Sequence, residues 1–220
     1  MAAKLPPFHL HDSLQQGQLL RLVEGEYGRR AVLENADYRW LELDGVVQSV
    51  LVRKDPPRLC LPHQQTVAEL LPPKLATFLE LGLGGGDLTR WLRARNKAIR
   101  HYCVELDPIV LELYQEYFQA NAKPRLYQAE ALAWLEHWQQ PVEVALVDLF
   151  SGDGVPACLF APRLYARLAS CVTQRLIINL PARDDAESQV LLEALETYFI
   201  PEGEQKVSGY RNRILWASPR

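Results

Sequence analysis

The segment Phe78-Leu-Glu-Leu-Gly-Leu-Gly-Gly-Gly-Asp87 constrains the fold of this chain more than any other part of the sequence. An apolar run, typical of a strand buried on both faces, leads directly into glycines and then into the pattern of a helix. Glycine permits a sharp turn and a close approach of the backbone to a ligand, which a Cβ would obstruct. In an open α/β sheet, ligands bind at the carboxyl ends of the strands. The segment therefore predicts a strand, a ligand-binding bend and a helix.

From residue 75 onward, apolar strand-like runs alternate with amphipathic helical runs, which predicts a mostly parallel sheet covered on both faces. The predicted strands are 75–83, 99–105, 125–128, 142–149 and 175–180. The predicted helices are 88–95, 108–120, 131–138, 162–169 and 186–199. Two last runs, 205–208 and 213–217, predict an antiparallel hairpin that finishes the sheet.

The first 60 or so residues have a different pattern, with short β-like runs separated by turn residues. These runs are 19–23, 31–33, 40–43 and 46–52. Asp44-Gly45, between the last two runs, predicts a β-hairpin. We therefore expect an α/β protein with a small antiparallel β domain over residues 1–62 and a Rossmann-like, AdoMet-methyltransferase-like domain over residues 63–220, which opens with a short helix at 63–71.

Composition and charge exclude several classes of partner. The formal net charge is -3, the pI is near 6.0 and no run of Lys or Arg is present, so nucleic acid is not an expected partner. No apolar stretch is long enough for a signal peptide or a membrane span. The four cysteines form no CxxC pair and read as reduced, mostly buried thiols of a cytoplasmic protein, and no HExxH motif or other pattern predicts a metal.

A carboxylate placed after the second predicted strand points to the kind of ligand. Glu105 lies 23 residues after Gly82, where a carboxylate can accept hydrogen bonds from both hydroxyls of a ribose. A dinucleotide fingerprint that starts at Gly82 would need glycine at position 87, but Asp87 stands there and would repel a pyrophosphate. No GKS or GKT follows the glycines, which excludes a P-loop. The spacing Glu80-x-Gly82-x-Gly84-x-Gly86 instead resembles the first motif of AdoMet-dependent transferases, whose cofactor carries a cationic sulfur and no phosphate.

Four motifs, in this order and spacing, resemble the spermidine synthase (aminopropyltransferase) family. They are Leu43-Asp44-Gly45-Val46-Val47-Gln48, Gly84-Gly85-Gly86-Asp87, Val104-Glu105-Leu106-Asp107-Pro108, and Val147-Asp148 with a loop that reaches Pro156. The likeness extends from about Trp40 to the C-terminus. It implies a small-molecule amine as acceptor and decarboxylated AdoMet or AdoMet as co-substrate without a metal, and it is compatible with a homodimer.

The resemblance also implies roles for individual residues. Gln48 and Asp87 should contact the amino-acid or aminopropyl arm of the cofactor, Glu105 the ribose, and Glu130 with Ala131 the adenine. Further cofactor contacts are implied at Glu80, Gly82, Gly84, Gly85 and Leu106. The counterpart of Asp148 accepts a proton from the attacking amine, which a neutral-pH nucleophile requires because a free amine titrates near pH 10. Asp153, in the loop that follows, is the second predicted catalytic carboxylate.

Departures from the family pattern leave three functions open. The family loop reads Asp-Ser-Ser/Thr-Asp-Pro, whereas this loop, Asp148-Leu-Phe-Ser-Gly-Asp-Gly-Val-Pro156, is longer and more apolar at its start. Its segment 152–155, with glycines flanking Asp153, is either a lid or a passive loop. The leading hypothesis is aminopropyl transfer from decarboxylated AdoMet to an amine. The Glu80-containing loop favours the second, methyl transfer from AdoMet, and the altered acceptor loop suggests the third, a non-catalytic nucleoside-binding protein.

Overall fold

The computed structural model describes residues 7–120, 123–150 and 155–220, with side chains from Leu10 onward in the first range, and contains two sheets. The first sheet is an antiparallel meander whose strands are neighbours in chain order. Its strands are β1 (Gln18–Gly25), β2 (Gly28–Glu34), β3 (Tyr38–Leu43) and β4 (Val46–Val52), and the helix α1 (Pro7–Leu14) precedes them.

The turn between β3 and β4 explains why this sheet forms where the sequence predicts it. Asp44 and Gly45 both have positive φ, 49° and 79°. Two such residues make a two-residue turn whose twist matches that of the flanking strands. The Asp44 Oδ1 atom also accepts a hydrogen bond from the backbone N–H of Arg29 at 2.7 Å, which ties the turn to β2. The predicted hairpin is confirmed.

The second sheet has seven strands in the order β10-β11-β9-β8-β5-β6-β7. Its strands are β5 (Thr77–Leu81), β6 (Arg100–Glu105), β7 (Arg125–Gln128), β8 (Val142–Val147), β9 (Val172–Pro181), β10 (Phe199–Lys206) and β11 (Asn212–Pro219). The strands β9, β8, β5, β6 and β7 pair in parallel, whereas β11 and β10 add an antiparallel hairpin at one edge. The predicted fold class is confirmed.

Helices cover both faces of the large sheet. They are α2 (Pro62–Leu70), α3 (Asp87–Arg95), α4 (Pro108–Leu113) with a π-helical turn at Tyr114–Phe118, α5 (Ala131–His137), a 3-10 turn at Ala157–Phe160, α6 (Pro162–Ala169) and α7 (Asp185–Glu196). Every residue of β5 is buried, as expected for a strand covered on both faces. Within the described part of the chain, no helix has the length and apolar character needed to cross a membrane.

The structure moves several predicted boundaries. The strand β9 begins at Val172, before the predicted start at residue 175, because Val172 pairs with Val142 of β8. Phe199, predicted to end a helix, instead begins β10, since it pairs with Pro219 and its side chain is fully buried. Pairing across the sheet thus overrides local helical preference here. The division of the chain into domains at residue 62 stays a prediction.

The strand order reverses at β5, and this reversal places the functional cavity. From β5 the chain proceeds to β6 and β7 on one side, and later to β8 and β9 on the other. Such a switch point opens a crevice beyond the carboxyl ends of the strands. The glycine bend, the end of β6 and the end of β8 therefore meet at the same edge of the sheet.

Candidate functional site

A cavity of about 530 Å³ lies at this edge, within the size range of small-molecule sites. It brings together most of the residues that the sequence singled out. Those that line it are Gln48, Glu80, Gly82, Gly84, Asp87, Glu105, Leu106, Glu130, Ala131 and Asp148. Gly85 belongs to the bend but does not line the cavity, and Asp153, with residues 152–154 of the predicted lid, lies outside the described residues.

The glycine bend joins the ends of β5 and β8. Gly82 has φ 92°, and a Cβ at this position would lie 2.1 Å from the carbonyl oxygen of Asp148. The N–H of Asp148 donates to Leu81 O at 2.8 Å, and the N–H of Gly82 donates to Val104 O at the same distance. Only glycine allows this combination of backbone conformation and close approach. The bend therefore sets the position of Asp148 as well as the shape of the cavity.

Strand β4 of the small sheet is hydrogen-bonded to the bend. The Ser49 Oγ atom accepts from Gly85 N–H at 2.6 Å, and the Val50 N–H donates to Asp87 Oδ2 at 3.0 Å. The Oδ1 atom of Asp87 forms a buried ion pair with Arg90, and burial raises the pKa of Asp87 against the effect of Arg90. The side chain of Gln64 also donates a hydrogen bond to Asp87. Asp87 thus already has three partners within the protein, and its predicted contact with the cofactor arm stays a prediction.

Glu105 faces the bend from the end of β6. Its Oε2 atom accepts from Leu83 N–H and its Oε1 atom from Asp107 N–H, both at 3.0 Å. Burial raises the pKa of Glu105, whereas these backbone hydrogen bonds oppose the rise. Each carboxylate oxygen can accept a further hydrogen bond, so the side chain can bind two adjacent hydroxyl groups while it stays fixed to the backbone.

Glu80 lies beneath the cavity in a buried polar cluster. Its Oε2 atom lies 2.8 Å from His101 Nε2 and accepts hydrogen bonds from Cys103 Sγ at 3.1 Å and Thr89 Oγ1 at 3.2 Å. Glu80, His101 and Cys103 are residue types that hold metals, but these separations are those of hydrogen bonds. The ligands of a tetrahedral zinc, at about 2.0–2.3 Å from the ion, stand farther apart. The three side chains that contact Glu80 form a hydrogen-bonded network that holds its carboxylate in place.

The four cysteines form no disulfide and differ in their burial. All four are free, and Cys103 and Cys171 are buried. Cys103, however, lies against Glu80 and His101 instead of purely apolar neighbours, and burial raises the pKa of its thiol well above the usual range. A thiol in this state is a poor nucleophile, so Cys103 acts here as a hydrogen-bond donor.

Asp148 follows the last residue of β8 and faces the cavity beside the bend. Its Oδ1 atom accepts a hydrogen bond from Asn179 Nδ2 at 2.7 Å. Burial raises the pKa of Asp148 to about 7, with smaller contributions from Glu80, Asp87 and Glu105, while the hydrogen bond from Asn179 opposes the rise. A carboxylate that titrates near neutral pH is suited to accept and release a proton.

The remaining predicted residues lie around the rim. The Glu130 carboxylate caps α5 by accepting from the N–H groups of Leu132 and Ala133, and Ala131 is buried behind it. Leu106, which is exposed, and Gln48, which is half-buried, complete this set.

Sequence reasoning missed Arg30 and Asn179. Arg30, in β2, forms a buried ion pair with Asp107 at 2.6 Å, and both residues line the cavity. Asn179 had one available signal, since it is a polar residue inside the apolar run Leu-Ile-Ile-Asn-Leu of β9. A polar residue buried in such a strand needs a hydrogen-bond partner. Arg30 had no local signal, because its partner is 77 residues away.

Comparisons with known proteins agree with this geometry. No protein-family model matches the chain. The chain is 27% identical over 164 residues to a polyamine aminopropyltransferase from Vibrio vulnificus, which covers 69% of this chain and 54% of that protein. It is 24% identical over 195 residues to an eEF1A lysine and N-terminal methyltransferase from Xenopus laevis, which covers 78% of this chain and 28% of that protein. The chain thus spans about half of the first relative and about a quarter of the second.

Solved structures show the same two groups. A probable spermidine synthase from Corynebacterium glutamicum matches with a TM-score of 0.71 at 18% identity, over 90% of this chain and 79% of that one. Human methyltransferase-like protein 13, in complex with SAH, matches with a TM-score of 0.63 at 22% identity, over 73% of this chain and 83% of that one. The chain therefore has the fold shared by AdoMet-dependent methyltransferases and spermidine synthases. The resemblance that its motifs predict is confirmed.

Proposed function

We propose that this protein is a transferase that moves a carbon group from an AdoMet-type sulfonium to an amine nitrogen. One observation carries the proposal: Glu105 and Asp148 line the same cavity on the two sides of the glycine bend. In this proposal the first carboxylate binds a ribose and the second accepts a proton. The names of the relatives, an aminopropyltransferase and a methyltransferase, support the same class of reaction.

In the proposed reaction, the residues of the chain bind, orient and deprotonate. Glu105 accepts hydrogen bonds from the two ribose hydroxyls, and Leu106 and Ala131 pack against the adenine. The arm of the donor lies against the bend. The amine nitrogen attacks the carbon attached to the sulfonium, the C–S bond breaks and the sulfur leaves as a neutral thioether. The proton that the amine loses passes to Asp148. Holding both reactants in line supplies up to about 7–11 kcal/mol in well-oriented intramolecular systems.

The charge of the cavity supports cationic reactants. Its lining includes the carboxylates of Glu26, Asp44, Glu80, Asp87, Glu105, Asp107, Glu130 and Asp148. Among the described residues, Arg30 is the one basic side chain in the lining, and Asp107 already binds it. A cleft lined by one sign of charge attracts ligands of the opposite sign. A sulfonium and an amine satisfy this requirement.

The first candidate donor is decarboxylated AdoMet, which makes the reaction an aminopropyl transfer. AdoMet itself carries a carboxylate, and the engagement of Arg30 by Asp107 leaves the cavity poorly suited to a negative charge on the ligand. The solved probable spermidine synthase also matches more of the chain than the methyltransferase structure does, 90% against 73%.

A specific observation favours methyl transfer as the second candidate. The resemblance implies that Asp87 contacts the donor arm, where a carboxylate would suit the ammonium of an aminopropyl group. In this chain Asp87 is paired with Arg90 and bonded to Val50 N–H. The negative charge of Asp87 is therefore largely compensated before any ligand binds, which weakens its attraction for the ammonium of an aminopropyl group and so favours the second candidate.

A two-donor assay tests the proposal and separates the candidates. The protein is incubated with decarboxylated AdoMet or with AdoMet, each with a panel of diamines, polyamines and lysine peptides, and the products are identified by mass spectrometry. Methylthioadenosine indicates aminopropyl transfer and S-adenosylhomocysteine indicates methyl transfer.

The variant Asp148→Asn tests the role of this carboxylate. It should bind methylthioadenosine normally, and its transfer rate should fall by at least about 100-fold. Equal rates in Asp148→Asn and the unchanged protein contradict a proton-accepting Asp148. Tight nucleoside binding without transfer from either donor favours the third reading, a non-catalytic nucleoside-binding protein. A homodimer and a cytoplasmic location remain parts of the proposal that sedimentation and cell fractionation test.

A further inference from the structure

Three polar side chains lie in line across three neighbouring strands at the edge of the cavity. Asn212, at the start of β11, donates from Nδ2 to Asn179 Oδ1 at 2.9 Å. Asn179, near the end of β9, donates from Nδ2 to Asp148 Oδ1 at 2.7 Å. The order of these strands in the sheet, β11-β9-β8, makes the line continuous.

The charge on Asp148 fixes the direction of every hydrogen bond in this line. An ionised carboxylate can only accept, so Asn179 must turn its NH₂ group toward Asp148. The carbonyl oxygen of Asn179 then points away, and Asn212 must present its own NH₂ group to it. Neither amide can flip without leaving two acceptors or two donors opposed, which costs about 1–3 kcal/mol for a buried group.

We propose that Asn179, oriented by Asn212, is a positioning residue that holds the Oδ1 atom of Asp148 and leaves Oδ2 as the oxygen that takes the proton. This inference rests on the proposed function, because it gives Asp148 the role of base. Asn179 itself does not touch the reacting atoms; it acts through the carboxylate.

The surroundings of Asn179 support a role beyond stability. Its side chain is 4% exposed, inside a strand whose neighbours Ile178 and Leu180 belong to the hydrophobic core. Asparagine is disfavoured in strands, and a buried amide loses its hydration, so an apolar residue would fit this position better for stability alone. The placement makes sense when the amide serves Asp148.

The charged groups that face Asp148 explain what the amide must oppose. Glu80 of β5, Asp87 of α3 and Glu105 of β6 all disfavour a negative charge on Asp148. The hydrogen bond from Asn179 is the interaction that favours the ionised form. Removal of this donor should leave Asp148 protonated at neutral pH, and a protonated carboxyl group cannot act as a base.

The test follows the titration of Asp148 directly, by NMR of protein labelled with ¹³C at the aspartate carboxyl carbons. The Asp148 signal is assigned by its loss in Asp148→Asn. In Asn179→Ala, we expect the Asp148 midpoint to rise by about one pH unit or more. In Asn212→Ala, which keeps the inner hydrogen bond but frees the amide to turn, we expect a smaller rise.

Two further measurements distinguish a positioning role from a structural one. Binding of methylthioadenosine should change by less than about twofold in both variants, since Glu105 and the bend are untouched. If transfer activity is found, its acidic limb should move to higher pH by the same amount as the NMR midpoint. The matched control is Asn96→Ala, because Asn96 donates its side-chain N–H to Leu75 O, outside the residues that line the cavity.

The outcomes are separable from those of the two-donor assay. An Asp148 midpoint that stays in place in folded Asn179→Ala and in Asn212→Ala overturns the inference, whatever the activity. A shifted midpoint without transfer from either donor upholds the coupling of Asn179 to Asp148 and overturns the proposed function instead. If Asn179→Ala does not fold, the shift in Asn212→Ala alone decides.

Discussion

The two halves of the cavity are built in different ways. The loop half consists of the bend 82–87 and Glu105, and main-chain hydrogen bonds hold it: Leu83 and Asp107 bind Glu105 through their N–H groups. The strand-end half consists of Asp148, Asn179 and Asn212, and side chains from three strands hold it. The residues of the loop half lie within 24 positions of one another in sequence, whereas those of the strand-end half span 65.

This difference separates binding from chemistry in the proposed reaction. A main-chain scaffold keeps its shape when surface residues change, so the loop half is suited to keep one binding geometry. A row of hydrogen-bonded side chains can be changed by single substitutions, so the strand-end half can be adapted to a new acceptor or to a different transferred group.

The largest expected effect concerns the attachment of the loop half to the small sheet. Arg30→Met removes the partner of buried Asp107, and breaking a buried ion pair from one side costs about 3–5 kcal/mol of unfolding free energy. Urea denaturation measures this loss. The double variant Arg30→Met with Asp107→Asn should recover part of it, because no unpaired charge then remains buried.

The matched control for Arg30 is Arg163→Met, which breaks the exposed pair with Glu136. Exposed pairs contribute at most about 1 kcal/mol. Equal losses in Arg30→Met and Arg163→Met would contradict a stabilising role of the buried Arg30–Asp107 pair.

A smaller effect is expected at the point where the two halves touch. Gly82→Ala places a Cβ 2.1 Å from the Asp148 carbonyl oxygen, while Gly209→Ala, also at a positive φ, meets nothing within 4 Å. Both share a conformational cost of about 1–2 kcal/mol. The loss of unfolding free energy in Gly82→Ala should therefore exceed the loss in Gly209→Ala by about 1–3 kcal/mol, the usual cost of overpacking. Similar losses would show that the contact with Asp148 relaxes easily.

The next prediction tests the loop half alone. Glu105→Gln should weaken the binding of methylthioadenosine by about 10–100-fold, since hydrogen bonds to a charged group contribute about 1.5–3 kcal/mol. Titration calorimetry measures the affinity. The control is Glu143→Gln, because Glu143 also accepts from backbone N–H groups, those of Ala76 and Thr77, yet does not line the cavity. An equal loss in both variants would make the effect structural.

The last prediction tests the strand-end half through the pH dependence of stability. Burial raises the pKa of Asp148 from 3.8 to about 7. Between these values the unfolded chain has lost the proton while the folded one retains it, so rising pH favours unfolding. Asp148→Asn should therefore gain stability relative to the unchanged protein as pH rises from 4 to 7, by about 1 kcal/mol or more.

The control for the pH dependence has the opposite sign. Hydrogen bonds and charge from Lys206 and Arg213 lower the pKa of Asp185. This group contributes stability above its unfolded pKa and loses it as pH falls, so Asp185→Asn should become relatively less stable as pH rises. Chemical denaturation at several pH values measures both variants. If Asp148→Asn also became relatively less stable as pH rises, as expected for Asp185→Asn, a raised pKa at Asp148 would be contradicted.

The sequence predicted the loop half well because its information is local. A strand, a run of glycines and a helix occupy consecutive positions, and Glu105 follows at a spacing set by one helix and one strand. The Asp44-Gly45 hairpin was predictable for the same reason, since a turn of two residues depends on those two residues. The start of β10 at Phe199 was not, because it depends on pairing with Pro219 at the other end of the hairpin.

The sequence by itself determined the order of strands and helices, the glycine bend and the position of the Glu105 carboxylate beside that bend. Only the tertiary structure decided that Arg90 neutralises Asp87, that Arg30 binds Asp107, and that Asn179 and Asn212 line up behind Asp148. The physical reason is range. Backbone conformation follows from neighbours in sequence, whereas the charge and proton affinity of a buried group follow from whatever the fold brings within a few ångströms of it.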